Sequence, residues 1–239
     1  MRIAPGLHRI GSDIVNSYLV VDDEGITVID AGLPGYWRML TAELAAIGRS
    51  FADIKALVLT HGDTDHIGFA ARLHREHGVP VYVHQDDMDR ASLEVRKPNS
   101  GWGPVKVVPL TKFLWYSARH GGLKIPPVTE VTPITHDQVL DAPGSPRIIH
   151  TPGHTPGSIT IHVPALGALF VGDALTTRNV LTGAEGPTPA PFTLNPTQAQ
   201  QSLHRLAHLD APYVLPGHGP TWTKGIPNAL TQLQTTTNH

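Results

Sequence analysis

Two histidines and two aspartates fall within six positions of THGDTDHIG, residues 60–68. Imidazole nitrogens and carboxylate oxygens are donors that divalent cations readily accept. His61, Asp63 and Asp65 alternate along the chain and His66 adjoins them. A turning loop can aim such a set at one or two cations, whereas a long helix would spread it around its circumference. A solvated loop before a helix would explain Asp65 as a first-turn charge. It would not explain two histidines at these offsets.

Three later stretches repeat the theme. TPGHTPGS holds His154, LFVGDAL holds Asp173 and LPGHGP holds His218, each after an apolar run. A lone histidine in a turn is ordinarily just exposed. Four strand-then-donor loops in one chain are another matter, because strand ends in α/β folds are where a rigid scaffold aims loop residues at a common point.

The elements that must position these loops are readable in outline. VNSYLVV, DDEG and ITVID form a strand, turn and strand. PGYWRMLTAELAAIG carries Trp37, Leu40, Leu44 and Ile47 at helical spacing, with Gly48 as the stop. IKALVLT, residues 54–60, is a buried strand ending at His61, followed by the helix FAARLHREHG and the strand PVYVH. Residues 88–136 form a lid-like insertion, in which QDDMDRASLEV suggests a short helix and the rest reads as irregular. Asn195 caps a further helix with Pro196 at its first position. The polar C-terminal tail is expected to fray. No repeat is present, and one domain over residues 1–239 is the expectation.

Together, THGDTDHIG, TPGHTPGS, FVGDAL and LPGHGP resemble, in order and spacing, the motifs of the metallo-β-lactamase superfamily of binuclear metallohydrolases. The opening hairpin with VIDAG fits as well. The resemblance implies an α/β fold, an αββα sandwich. It assigns His61, Asp63 and His154 to a first metal, Asp65, His66 and His218 to a second, and Asp173 to a bridge between them. Asp30 of VIDAG would support a ligand from beneath. Two divalent cations are implied, with zinc first and manganese or iron as alternatives.

Asp63 departs from the pattern, since the family's common form is H-x-H-x-D-H. A glutamate at this position in some di-iron redox members gives precedent for a carboxylate. Three outcomes are open: a swapped ligand, a weakened first site, or a degenerate centre. Aspartate can bind metal, so the first is favoured.

The chemistry implied is hydrolysis, with a hydroxide between two cations as nucleophile and Asp65 or Asp173 as proton shuttle. No cysteine is present among the 239 residues and GxSxG is absent, so nothing suggests a covalent nucleophile. A formal net charge of −2, with no basic patch, argues against nucleic acid or a membrane as partner. The start shows neither a signal-peptide pattern nor an apolar run of spanning length, and a cytoplasmic location is the default. The expected substrate is a small molecule: an ester, lactone or thioester. A non-catalytic metal-binding module and a β-lactam-hydrolysing enzyme are the alternatives, and a homodimer is compatible with either. Trp102, Phe113, Trp115 and Tyr116 could wall the site, and Thr177, Arg178 and Asn179 could orient substrate. The other histidines carry no motif, and His8, His74, His77, His204 and His208 are expected at the surface.

Overall fold

The computed structural model describes residues 1–95 and 103–237. Seven strands form the first sheet in sequential order: β1 (Arg2–Ala4), β2 (Leu7–Ser12), β3 (Val15–Val21), β4 (Ile26–Ile29), β5 (Ile54–Val58), β6 (Val81–His84) and β7 (Thr132–Ile134). Neighbours are antiparallel as far as β4 and parallel from there on. The second sheet has the order β13 (Tyr213–Pro216), β10 (Ala168–Gly172), β9 (Ile159–Val163), β8 (Arg147–His150). Its β10–β13 pair is parallel and its other pairs are antiparallel. A separate ribbon pairs β11 (Thr176–Arg178) with β12 (Glu185–Thr188).

Side-chain alternation along each strand explains how the sheets stack. In β3, Tyr18 and Val20 face the second sheet, joining Ile29 and Val58 against Ile161 and Phe170. Val15 and Leu19 point the other way, beneath α1 (Tyr36–Ala46) and α2 (Ala70–His77). In β10, Phe170 faces the first sheet, while Leu169 and Val171 pack against α5 (Pro196–Leu203) and α6 (Ile226–Thr237). Both faces of both sheets are therefore covered, and the layers run α, β, β, α. This is the expected sandwich.

Several local expectations hold. α1 buries Tyr36, Leu40 and Leu44, and Gly48 closes it at a positive φ of 69°. Asn195 accepts a hydrogen bond from the Gln198 amide and caps α5. Within 88–136, the described residues contain the expected short helix as α3 (Met88–Ala91), and two elements that were not expected: α4 (Val107–Arg119) and β7, which joins the first sheet. The C-terminal stretch, expected to fray, is helical in α6. Ile226, Ala229 and Leu233 recur at helical spacing and are buried on the second sheet's outer face. Among the described residues no helix is long and apolar enough to cross a membrane.

Candidate metal centre

Register brings the donor loops together. β4 and β5 run parallel with Ile29 opposite Val58, so Asp30 and the Thr60–His61 step emerge side by side. β10 and β13 are parallel with Gly172 opposite Pro216, which places Asp173 beside the Gly217–His218 turn. The loop holding His154 joins β8 to β9, and the amide of Ile159 donates to the Thr60 carbonyl at 2.9 Å, tying the two sheets together at this edge. From β3, the Tyr18 hydroxyl donates to Pro216 O at 2.7 Å, and Asn16 Nδ2 donates to Pro216 O and Gly219 O. These bonds fix the His218 turn on the first sheet.

All seven expected site residues converge. His61, Asp63 and His154 form one group in which a ligand atom of each lies within 4.8 Å of the others; Asp65, His66 and His218 form a second. Asp173 stands between them. One oxygen lies 3.6 Å from His154 Nε2 and 3.1 Å from His218 Nε2, and the other lies 3.6 Å from His66 Nε2.

The four imidazoles share one anchoring scheme. His66 Nδ1 donates to Asp30 Oδ2 at 2.9 Å. His61 Nδ1 lies 3.0 Å from Thr60 Oγ1, whose own proton goes to Asp30 Oδ2 at 2.8 Å, so the hydroxyl accepts from the ring. His154 Nδ1 meets Thr193 Oγ1 at 3.2 Å, and that hydroxyl donates to Ala190 O. His218 Nδ1 donates to the Ile14 carbonyl. Every Nδ1 thus faces an acceptor, which turns each Nε2 inward as the nitrogen that would bind a cation once its proton is lost. The Nε2 atoms of His61, His66 and His154, and one oxygen of Asp173, are buried with no hydrogen-bond partner among the described residues. Buried polar atoms are rarely left so, and divalent cations at the centre would satisfy all of them.

Charge within the cluster is balanced by protons. Burial opposes charging of His66, but Asp30 and then Asp173 overcome it and raise its pKa to about 10. Burial likewise opposes charging of His218, and Asp173 and Asp65 raise it nonetheless. Burial pushes Asp173 up, yet His218, His66 and His154 hold it well below the usual carboxylate range. Burial, followed by His66 and His154, keeps His61 well below its ordinary 6.5. A cation taken up here must displace protons, so uptake is coupled to pH.

Two buried charged neighbours of the cluster escaped the sequence reading. Asp87 accepts from the Gly62 and Gly157 amides at 2.7 and 2.8 Å and from Thr155 Oγ1 at 2.8 Å, clasping the loops of His61 and His154. Arg90 on α3 donates to Asp63 Oδ1 at 2.7 Å, and both side chains are buried. The dense acidic motif is the one sequence signal that calls for such a cation.

A cavity of about 210 Å³ opens on the centre, with Asp63, Asp65, His154, Asp173 and His218 at its polar end and Leu33, Phe113, Ile125, Val180 and Phe192 as apolar wall. Of the expected aromatic wall, Phe113 alone among the described residues lines it. Tyr116 instead bonds the Tyr36 hydroxyl at 2.9 Å, Trp115 is 63% exposed, and Trp102 lies outside the described residues. Thr177, Arg178 and Asn179 are engaged elsewhere: Thr177 with Pro220 O, Arg178 with Glu185, and Asn179 with the amides of Leu181 and Thr182. His8, expected at the surface, is 7% exposed and pairs with Glu43 at 2.8 Å.

Comparison with known proteins agrees with this geometry. The sequence profile of the metallo-beta-lactamase superfamily matches residues 10–218, and the chain belongs to that superfamily, whose fold implies divalent metal ions. The chain is 31% identical to the "Probable metallo-hydrolase YflN" of Bacillus subtilis (strain 168) over 255 residues, covering 96% of this chain and 90% of that protein. Among solved structures, TTHA1623 in a di-iron-bound form matches with a TM-score of 0.64 at 29% identity, over 93% of this chain and 96% of that one. The metallo-beta-lactamase family protein TTHA1429 of Thermus thermophilus shares the fold with a TM-score of 0.69 at 23% identity, over 99% and 81% of the two chains.

Proposed function

We propose that the protein is a binuclear metal-dependent hydrolase of small, uncharged esters, lactones or thioesters. The observation that carries this reading is the shared orientation of the four imidazoles, each Nδ1 anchored and each Nε2 turned inward. His61, Asp63 and His154 would hold one cation, Asp65, His66 and His218 the other, with Asp173 shared. When bound, such cations make water a nucleophile near neutral pH and polarise a scissile carbonyl.

The protein's own groups divide the remaining work. Asp173, shared between the two cations, would be a poor proton acceptor, because their charge favours its ionised form. Asp65, with a side chain 19% exposed at the cavity, is the better proton shuttle. The apolar wall excludes water and suits an acyl group. Ser117 Oγ, buried at the cavity wall without a partner among the described residues, can orient a substrate oxygen. No lysine or arginine lines the cavity among the described residues, which favours neutral substrates over carboxylate-rich or phosphorylated ones.

The test is elemental analysis of protein purified without added metal, followed by hydrolysis of an aryl ester, a lactone, a thioester and a chromogenic cephalosporin, each with and without chelator. The expected result is two metals per chain and chelator-sensitive turnover of an acyl substrate. Two metals with no turnover would indicate a non-catalytic metal-binding protein. Preferred cleavage of the cephalosporin would make it a β-lactamase.

A further inference from the structure

We propose that Arg90 is a positioning residue of the first metal site, whose guanidinium holds one oxygen of Asp63 and turns the other toward the metal. The inference rests on the reading of Asp63 as a ligand given above. Arg90 Nη1 lies 2.7 Å from Asp63 Oδ1, while Asp63 Oδ2 lies 3.4 Å from His154 Nε2 and 3.9 Å from His61 Nε2. The carboxylate is thereby divided between a fixed counter-ion and the ligand cluster. A neutral imidazole at position 63 would need no counter-ion. A carboxylate adds a charge to a site already holding Asp30, Asp65 and Asp173, and Arg90 offsets it.

The backbone is shaped for this pairing. A β-carbon on Gly62 would come within 2.7 Å of the Ala91 amide nitrogen and 2.9 Å of Arg90 Cβ. Only glycine between His61 and Asp63 lets α3 seat closely enough for the arginine to reach across. Asp87, just before α3, accepts from the Gly62 amide and fixes the same approach. Arginine is almost never fully buried unless paired, and a planar guanidinium constrains its partner's orientation better than an ammonium does.

The test compares zinc affinity, measured by competition with a chromophoric chelator, across wild type, Asp63→His, Asp63→His/Arg90→Met and Arg90→Lys, with metal content per chain measured in parallel. Asp63→His alone strands the guanidinium against a cation and should weaken binding at the first site by about tenfold or more. The double variant removes that repulsion and should recover affinity to within about threefold of wild type. Arg90→Lys keeps the charge and should stay closer to wild type than Asp63→His does. Fewer than two metals on the wild type would overturn the binuclear reading itself. Two metals on the wild type, with the single and double variants binding equally tightly or equally weakly, would overturn the role of Arg90 alone.

Discussion

Asp30→Asn isolates the anchoring of the imidazoles from the fold. Asp30 is 2% exposed and accepts three hydrogen bonds: Thr60 N at 2.7 Å on Oδ1, and Thr60 Oγ1 at 2.8 Å and His66 Nδ1 at 2.9 Å on Oδ2. Its φ of 59° is a left-handed conformation that asparagine tolerates as well as aspartate, so the backbone is undisturbed. The asparagine must keep its carbonyl on the Thr60 amide. The opposite orientation would set donor against donor in a buried site, at about 1–3 kcal/mol. Its amide group then faces Thr60 Oγ1 and His66 Nδ1, both of which must become acceptors. For His66 the ring proton moves to Nε2, where it blocks the ligand lone pair. The Thr60 hydroxyl must send its own proton elsewhere, and His61 Nδ1 is 3.0 Å away. One imidazole of each triad is thus pushed toward the wrong tautomer. Loss of such outer hydrogen bonds typically costs 10–100-fold in metal affinity, or about 1.4–2.7 kcal/mol. Competition titration with a chromophoric zinc chelator would measure it, with thermal unfolding as the control for folding. Binding within about twofold of wild type by a folded variant would refute the tautomer reasoning.

Asp87→Ala should lower stability by at least about 2 kcal/mol, since the buried Gly62 and Gly157 amides lose their acceptor and Thr155 Oγ1 keeps only Ser158 Oγ; a urea midpoint equal to wild type would show that the clasp is dispensable. His74 donates from Nδ1 to Val79 O at the end of α2 and pairs with Glu130, and its pKa is raised by the Val79 bond against slight burial, with Glu130 assisting. A raised pKa contributes stability that is fully present below the ordinary 6.5 and is lost as pH rises through the folded value. The stability difference between wild type and His74→Ala should therefore be largest near pH 5.5 and shrink by about pH 9. The pH-dependent part from the Glu130 pair should not exceed about 0.5 kcal/mol, because Glu130 is largely exposed. A difference that grows with pH would reverse the assignment.

What could be read from the sequence, and what could not, follows from the range of the interactions. The donor loops were legible because each follows a short apolar strand, and strand ends are fixed by local pattern. α1 was legible through Leu40 and Leu44, and α5 through Asn195 and Pro196. α4 and α6 were missed because the first lies in a Pro/Gly-rich stretch and the second in a polar tail. Neither Pro109 nor Pro227, in their opening turns, follows a capping side chain such as Asn195 provides for α5. Proline breaks a helix interior but is tolerated there, where the amide has no intrahelical acceptor. Arg90 and Asp87 were passed over because their partners lie 27 and 25 residues away, across the contact between α3 and the His61 loop. No periodicity encodes such a contact.

The origin of each donor has a physical consequence. His61, Asp63, Asp65 and His66 leave the first sheet after β5, whereas His154, Asp173 and His218 leave the second. Each candidate triad takes two donors from one sheet and one from the other. A bound cation would therefore act as a cross-link between the two halves of the sandwich, at the edge where the inter-sheet core gives way to loops. Binding that favours the folded state stabilises it by mass action, so metal should hold the sheets together as well as serve chemistry. The protein bonds already spanning this edge, Ile159 N to Thr60 O and Tyr18 and Asn16 to Pro216 O, have the same effect without metal. They set the spacing of the donors before any cation arrives. Preorganisation of that kind is what allows seven side chains from two sheets to meet within ligand distance.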